Sequence, residues 1–222
     1  MNPIYEDNHI IVISKPAGML SQSDIKKQYS LYDYLKDYLK EKTKKNNVYL
    51  AILHRLDRNT GGIMVFAKTS KSARRLSEQF KNRIVQKKYI AITENIPEIG
   101  KKGKMINYLI KNEKKRIALP ATPHHPKAKL AELEYELIET IHLKNKIYYK
   151  FLVHPLTGRF HQIRFQFAYY KAPLIGDRKY GNNQITPFPA LWAYEIKFTH
   201  PTLRKEMIFK SEPPQNWPFE IV

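Results

Sequence analysis

The chain has 222 residues, 42% of them hydrophobic and 12% aromatic, enough to bury a core as one domain or as a domain in two lobes, which excludes a disordered tail or a fibre. Its 39 Lys+Arg against 20 Asp+Glu give a formal net charge of +19, an excess that attracts polyanions by steering and counterion release and makes nucleic acid the leading partner. There is no cysteine, so disulfides, thiolate nucleophiles and Cys-based zinc sites are excluded, and without an unbroken apolar span or a basic amphipathic helix bearing a Trp/Phe face an anionic membrane is only a minor alternative.

The amino terminus shows no basic stretch leading into an apolar core and a small-residue cleavage site, so a cytoplasmic protein is expected. Residues 9–14 are apolar and β-branched and run into Lys15-Pro16-Ala17-Gly18, which predicts a strand and a turn. Ser30 then precedes Leu31, Leu35, Tyr38 and Leu39, an amphipathic stripe with Asp33 in the capping position, and Lys36, Lys40 and Lys42 are expected to be solvated. Strands are predicted over 49–53 and 62–67, with a polar, glycine-bearing loop between them. Thr69 is expected to cap a helix whose Ala73, Leu76 and Phe80 recur at helical spacing.

Residues 87–93 return to strand character. Over 131–137, Ala131, Leu133, Tyr135 and Leu137 alternate with Glu132, Glu134 and Glu136, the period of a strand with one wet face, so the glutamates are expected to face solvent. Further strands are predicted over 147–153, 190–198 and 207–210, with a helix over 160–170. Many strands and about three helices without regular βαβ alternation indicate an α+β fold on a mostly antiparallel or mixed sheet.

The chemistry concentrates in Leu53-His54-Arg55-Leu56-Asp57-Arg58-Asn59-Thr60-Gly61-Gly62, where one carboxylate lies among two arginines. Opposite charge nearby keeps a carboxylate ionised, the form that a nucleophilic or electrostatic role toward a sugar C1′ requires. Taken alone, such a string is more often a surface ion pair.

Its company changes that balance. His54-Arg55-Leu56-Asp57 with Thr60 and Gly62 resembles the H-R-L-D-x-x-T-S-G signature of RluA-type RNA pseudouridine synthases, and Lys88-Tyr89-Ile90-Ala91 resembles their K-x-Y-x-A strand. Residues 155–164, Pro-Leu-Thr-Gly-Arg-Phe-His-Gln-Ile-Arg, fit P-x-T-G-R-x-H-Q-I-R, and residues 173–181 fit the P-I-x-G-D-x-x-Y-G that follows; with Lys15-Pro16-Ala17-Gly18 these blocks stand in one order from about residue 5 to 210. Gly61 and Trp192 depart from the pattern, which usually has serine and histidine there.

The resemblance implies a pseudouridine synthase catalytic domain: a mixed, mostly antiparallel central sheet in two lobes with flanking helices and a central RNA-binding cleft, spanning 1–222 as a single domain without an N-terminal S4-type module. It makes Asp57 the catalytic carboxylate, Tyr89 the ring against the extruded uracil, and Arg164 the cation paired with Asp57. Leu174 would wall the uracil pocket and Arg55 would fill the gap left in the RNA stack, a role suited to a planar guanidinium. His54, Thr60, Arg159, His161 and Gln162 belong to the same blocks and are expected among the substrate-binding residues. The implied reaction isomerises uridines of ribosomal or transfer RNA with no cofactor and no metal, in a monomer.

Lysine clusters at Lys101, Lys102 and Lys104, at Lys114, Lys115 and Arg116, and at Lys127 and Lys129 are candidates for phosphate contacts, although any one such cluster is more often plain solvated surface. His124-His125 has no suitably spaced partner for a metal. From charge alone the alternative is a noncatalytic basic RNA-binding or ribosome-associated protein; a glycosidase would want a second carboxylate beside Asp57.

Overall fold

The structure is a computed structural model and describes residues 1–25, 27–181 and 185–219. In chain order its elements are β1 (Tyr5–Glu6), β2 (Ile10–Lys15), α1 (Leu31–Thr43), β3 (Ala51–Ile52), β4 (Gly61–Ala67), α2 (Ser70–Lys81), β5 (Gln86–Thr93), β6 (Lys102–Asn112), β7 (Ile117–Ala121), β8 (Lys129–Leu143), β9 (Lys146–Pro155), α3 (Gln162–Tyr169), β10 (Leu191–Thr199) and β11 (Glu206–Lys210). Among the described residues the fold is α+β, with mostly antiparallel strands and three helices. The chain divides into two compact units, Met1–Lys87 with Ala193–Pro213, and Lys88–Trp192 with the stretch from Pro214 onward.

The first unit is organised by β2 and β4, paired antiparallel from Ile10 opposite Ala67 to Lys15 opposite Gly62. Ile10, Ile11, Val12 and Ile13 have no exposed surface, and every residue of β4 is buried. That accounts for their continuous apolar runs: strands covered on both faces cannot alternate. β1 pairs with β2, β3 with β4 and β11 with β10. The helix at 31–43 forms as its stripe predicts, with Leu31, Leu35 and Leu39 buried. Its start is a full capping box, the Ser30 hydroxyl accepting from Asp33 N–H while the Asp33 carboxylate accepts from Ser30 N–H. Lys36 differs from expectation, its Nζ donating to the Val48 carbonyl, whereas Lys42 is exposed as expected and pairs with Glu6 at 2.7 Å. Thr69 caps α2, and Gln79 of that helix bonds both the N–H and the C=O of Thr199 at the end of β10.

The second unit is an antiparallel array in the order β5-β9-β8-β6-β7. One face buries Met105, Leu133, Tyr135, Phe151 and Val153 against Ile163 and Phe167 of α3. Tyr135, Phe151 and Phe167 meet edge to face, with centroids 5.5 to 5.8 Å apart. Alternation along β8 holds for Ala131, Leu133 and Tyr135, which are buried, and for Glu134 and Glu136, which are exposed, whereas Glu132 and Leu137 are half-buried. The strand is longer than predicted, continuing past an irregularity between Leu137 and Glu139. β6 and β7 were not predicted, because lysines occupy the outward positions of β6. Lys102 and Lys104 are in fact paired across the sheet with Glu136 and Glu132, at 3.3 and 3.2 Å. The third helix begins at Gln162 and not at 160, since His161 sits at φ 51, outside helical space.

Candidate active site

Asp57 lies in the loop between β3 and β4, and the way β3 ends sets that loop's course. Ala51 and Ile52 pair with Ala67 and Phe66, and the next β4 residue, Val65, gives its N–H to Nε2 of His54 at 3.1 Å. An imidazole thus takes the place of a strand carbonyl, and the chain is free to leave the sheet. That ring also stacks on Phe80 at 5.0 Å. Burial, with Lys87 nearby, pushes the His54 imidazole down to about 3, so it stays the neutral acceptor that Val65 requires.

Inside the loop the backbone is tied at each step. The Ser21 hydroxyl bonds both N–H and C=O of Leu56, Thr60 N–H donates to the Asp57 carbonyl at 3.0 Å, and Gly18 N–H donates to the Arg58 carbonyl at 2.9 Å. Leu56 and Thr60 are buried, Asp57 is half-buried and Arg55 is exposed. Gly62 closes the loop at φ 116, where a Cβ would overlap the backbone N and O of Ala193. Lys15 is fully buried and donates to the carbonyls of Pro16, Met19 and Arg58 at 2.9, 2.7 and 3.0 Å. Burial lowers its ammonium to about 7, opposed by the attraction of Asp57 and assisted by the repulsion of Arg58. The sequence gives neither residue a role: Lys15 stands in the Lys15-Pro16-Ala17-Gly18 block with no function attached to it, and Ser21 carries no signal.

In the second unit Tyr89 stands on β5 opposite Val153, half-buried against the core face that also contains Leu174. Leu174 is 1% exposed and forms an isolated bridge with Thr93, so the segment after α3 is laid back against β5. Arg164, in the first turn of α3, is buried and grips Asp177 with a two-pronged guanidinium, Nε to Oδ2 at 2.7 Å and Nη2 to Oδ1 at 2.8 Å. Its guanidinium also lies over the Tyr180 ring at 5.4 Å. Asp177 stands in the 173–181 motif, but nothing in the sequence pairs an acid with an arginine thirteen residues earlier.

The remaining members of the 155–164 block are engaged internally. Thr157 Oγ1 accepts from Glu132 N–H at 2.9 Å and donates to Gln162 Oε1 at 2.7 Å. Gln162 Oε1 also accepts from Arg159 N–H, its Nε2 donates to the Glu132 carbonyl, and Arg159 Nε donates to the Leu130 carbonyl at 2.8 Å. His161 is 8% exposed, stacks on Phe160 at 3.9 Å and shares a 3.0 Å hydrogen bond with the Tyr180 hydroxyl. Burial, then the charges of Arg164, Lys179 and Lys111, lowers it to about 3. Trp192 is buried and meets Trp217 edge to face. Among the described residues no group of three or more His, Asp or Glu side chains is placed to hold a metal ion, and Nδ1 of His125 accepts from Lys127 N–H. No helix among them is long and apolar enough to cross a membrane.

Residues 9–169 match the family described as RNA pseudouridylate synthase. The chain is 33% identical over 214 residues to the ribosomal large subunit pseudouridine synthase C of Rickettsia prowazekii (strain Madrid E), covering 95% of this chain and 67% of that protein. It is 31% identical over 218 residues to the dual-specificity RNA pseudouridine synthase RluA of Haemophilus ducreyi (strain 35000HP / ATCC 700724), covering 96% and 93%. Among relatives of the first kind it spans between 57% and 68% of their length. In fold it is similar to human RNA pseudouridylate synthase domain containing 4, with a TM-score of 0.79 at 23% identity over 96% of this chain and 89% of that one. The chain therefore belongs to the RNA pseudouridylate synthase family, on its RluA-type branch of RNA isomerases.

Proposed function

We propose that this protein isomerises specific uridines in structured ribosomal or transfer RNA to pseudouridine, with Asp57 as the catalytic carboxylate. The C1′–N1 bond breaks, the uracil turns, a C5–C1′ bond forms, and the proton lost from C5 is balanced by one gained at N1. No electron acceptor or second substrate is required. Asp57 adds to the sugar or the base, or assists departure of the uracil anion. Tyr89 lies against the base, Leu174 walls its pocket, and Arg164 is the cation that keeps the carboxylate ionised and oriented. Arg55, exposed beside Asp57, fills the space that the extruded nucleotide leaves in the stack. The relatives' names favour ribosomal RNA as the first substrate to test, with the dual-specificity relative making transfer RNA the second.

The observation that carries this reading is the loop itself: a half-buried aspartate whose two neighbouring residues have their backbone groups tied down while Arg55 beside it reaches outward. Reactions limited by geometry reward such fixation. The basic surplus supplies the sequence-independent grip on RNA. In the decisive assay, RNA carrying tritium at uridine C5 is incubated with the protein in EDTA. Release of tritium that is lost in Asp57→Ala supports the synthase. Retention of the label by the wild type across a panel of cellular RNAs returns the protein to the noncatalytic, RNA-binding alternative.

A further inference from the structure

The residues on either side of Asp57 are both tied to one short stretch, residues 15–21. Before Asp57, the Ser21 hydroxyl accepts from Leu56 N–H at 3.1 Å and donates to the Leu56 carbonyl at 2.9 Å, so a single side chain pairs both polar groups of that residue as a neighbouring strand would. After Asp57, the Arg58 carbonyl accepts from Gly18 N–H and from the Lys15 ammonium, and Arg58 Nε returns a bond to the Gly18 carbonyl at 2.9 Å. Ser21 is 4% exposed and Leu56 7%, so these bonds are made away from water. Ser21 is itself anchored: its carbonyl accepts from Tyr32 N–H, and the Leu20 carbonyl accepts from Leu31 N–H, both at the start of α1. The capping box holds that start in place.

We infer that Ser21 is a positioning residue for Asp57: with Lys15 it fixes the backbone on both sides of the carboxylate, and it acts on the reaction through the direction in which that carboxylate points. The inference rests on Asp57 being the catalytic group. Only a hydroxyl of this size can both accept and donate at Leu56. Alanine leaves a buried N–H and C=O unpaired, and the loop then gains freedom at the residue before the acid. Lys15 adds the complementary hold, each of its three ammonium protons directed to a carbonyl and its charge near Asp57. Ser72 is the natural control. It is equally buried, its hydroxyl bonds Thr69 Oγ1 at 2.8 Å, and it serves the start of α2 rather than the Asp57 loop.

The test compares Ser21→Ala, Ser21→Thr, Ser72→Ala and Asp57→Asn by tritium release, thermal midpoint and exchange of the Leu56 amide. Ser21→Ala is expected to lower kcat about tenfold or more while KM for RNA stays within about twofold, and to speed Leu56 amide exchange about tenfold. Ser21→Thr, which keeps the hydroxyl, is expected to recover most of kcat. Ser72→Ala is expected to lower the thermal midpoint with kcat unchanged. If Ser21→Ala does not fold, Ser21→Cys decides the matter, since a thiol of similar size is too weak a donor and acceptor to hold both groups. Wild-type kcat in a folded Ser21 variant that lacks the hydroxyl, or an equal loss in Ser72→Ala, overturns the inference and leaves the assignment of Asp57 standing. Wild-type activity in Asp57→Asn overturns both.

Discussion

The loop at residues 54–62 and the block at 155–164 are equally dense in motif residues, yet they are built in opposite ways. In the loop, groups from other parts of the chain hold the backbone: Ser21 and Gly18 bond Leu56 and Arg58, and Lys15 adds a third point. Of its own charged side chains Arg58 returns a bond to the Gly18 carbonyl, and Arg55 is exposed. In the block the motif side chains are themselves the ties, with Thr157, Arg159 and Gln162 stitching the turn before α3 to Leu130 and Glu132 of β8. A motif residue is therefore not by that fact a substrate contact. Where its polar atoms go decides whether it acts or folds.

That contrast breaks most sharply at Asp57. Asp57→Asn preserves shape and removes the charge, and is expected to lower kcat by roughly 10³-fold or more with little change in thermal midpoint. A modest loss, within about tenfold, would remove the loop from the chemistry. Gly62→Ala tests the opposite property in the same loop. A methyl there meets the Ala193 backbone and requires φ 116 of a residue with a Cβ, so a loss of about 3 kcal/mol in urea unfolding is expected. Unchanged stability would mean that the closure of the loop is loose.

In the other region, Gln162→Ala is expected to cost about 2 kcal/mol, because it leaves the Arg159 N–H and the Thr157 hydroxyl short of a partner in a buried turn. The kcat of the folded fraction should stay within about threefold. Arg55→Ala, on an exposed side chain, should do the reverse: stability within about 0.5 kcal/mol and a raised KM for RNA. Measuring both quantities for both variants sharpens the contrast, and a Gln162 variant that folds normally but binds RNA poorly would move that residue from scaffold to contact.

Much of this was legible in the chain and some was not, for identifiable reasons. Local rules carried α1, whose stripe and Ser30/Asp33 cap lie within one helix, and β8, whose alternation needs no partner to be seen. They failed at β6 and β7, where the outward Lys102 and Lys104 of β6 pair with glutamates on β8, thirty or so residues away. Motifs single out Asp57 and Arg164 as candidates, but Ser21 is thirty-five residues from the peptide it holds and Lys15 forty-three from the Arg58 carbonyl. Neither separation leaves a periodic trace. Asp177 was in plain view in its motif, and only the folded turn after α3 brings it onto the Arg164 fork.

Each region also holds one desolvated histidine, and these give the contrast a pH dependence. Burial lowers His54 and His161 to about 3 in the native protein, against an ordinary value of 6.5 in the unfolded chain. Between those limits the unfolded chain binds protons that the native state does not, so stability falls as pH drops from 6.5 and the fall levels off below about 3. At pH 5 each histidine is expected to contribute roughly 1–2 kcal/mol of that loss. Depressed carboxylates such as Glu6 and Asp7 also lose stability in acid, but only as pH falls through the carboxylate range, so pH 5 isolates the imidazoles. Urea midpoints at pH 7 and pH 5 should therefore differ less in His54→Gln and in His161→Gln than in the wild type. An unchanged difference in His54→Gln alone would mean that the imidazole accepting from Val65 is protonated in the native loop, and β3 would then need another reason to end where it does.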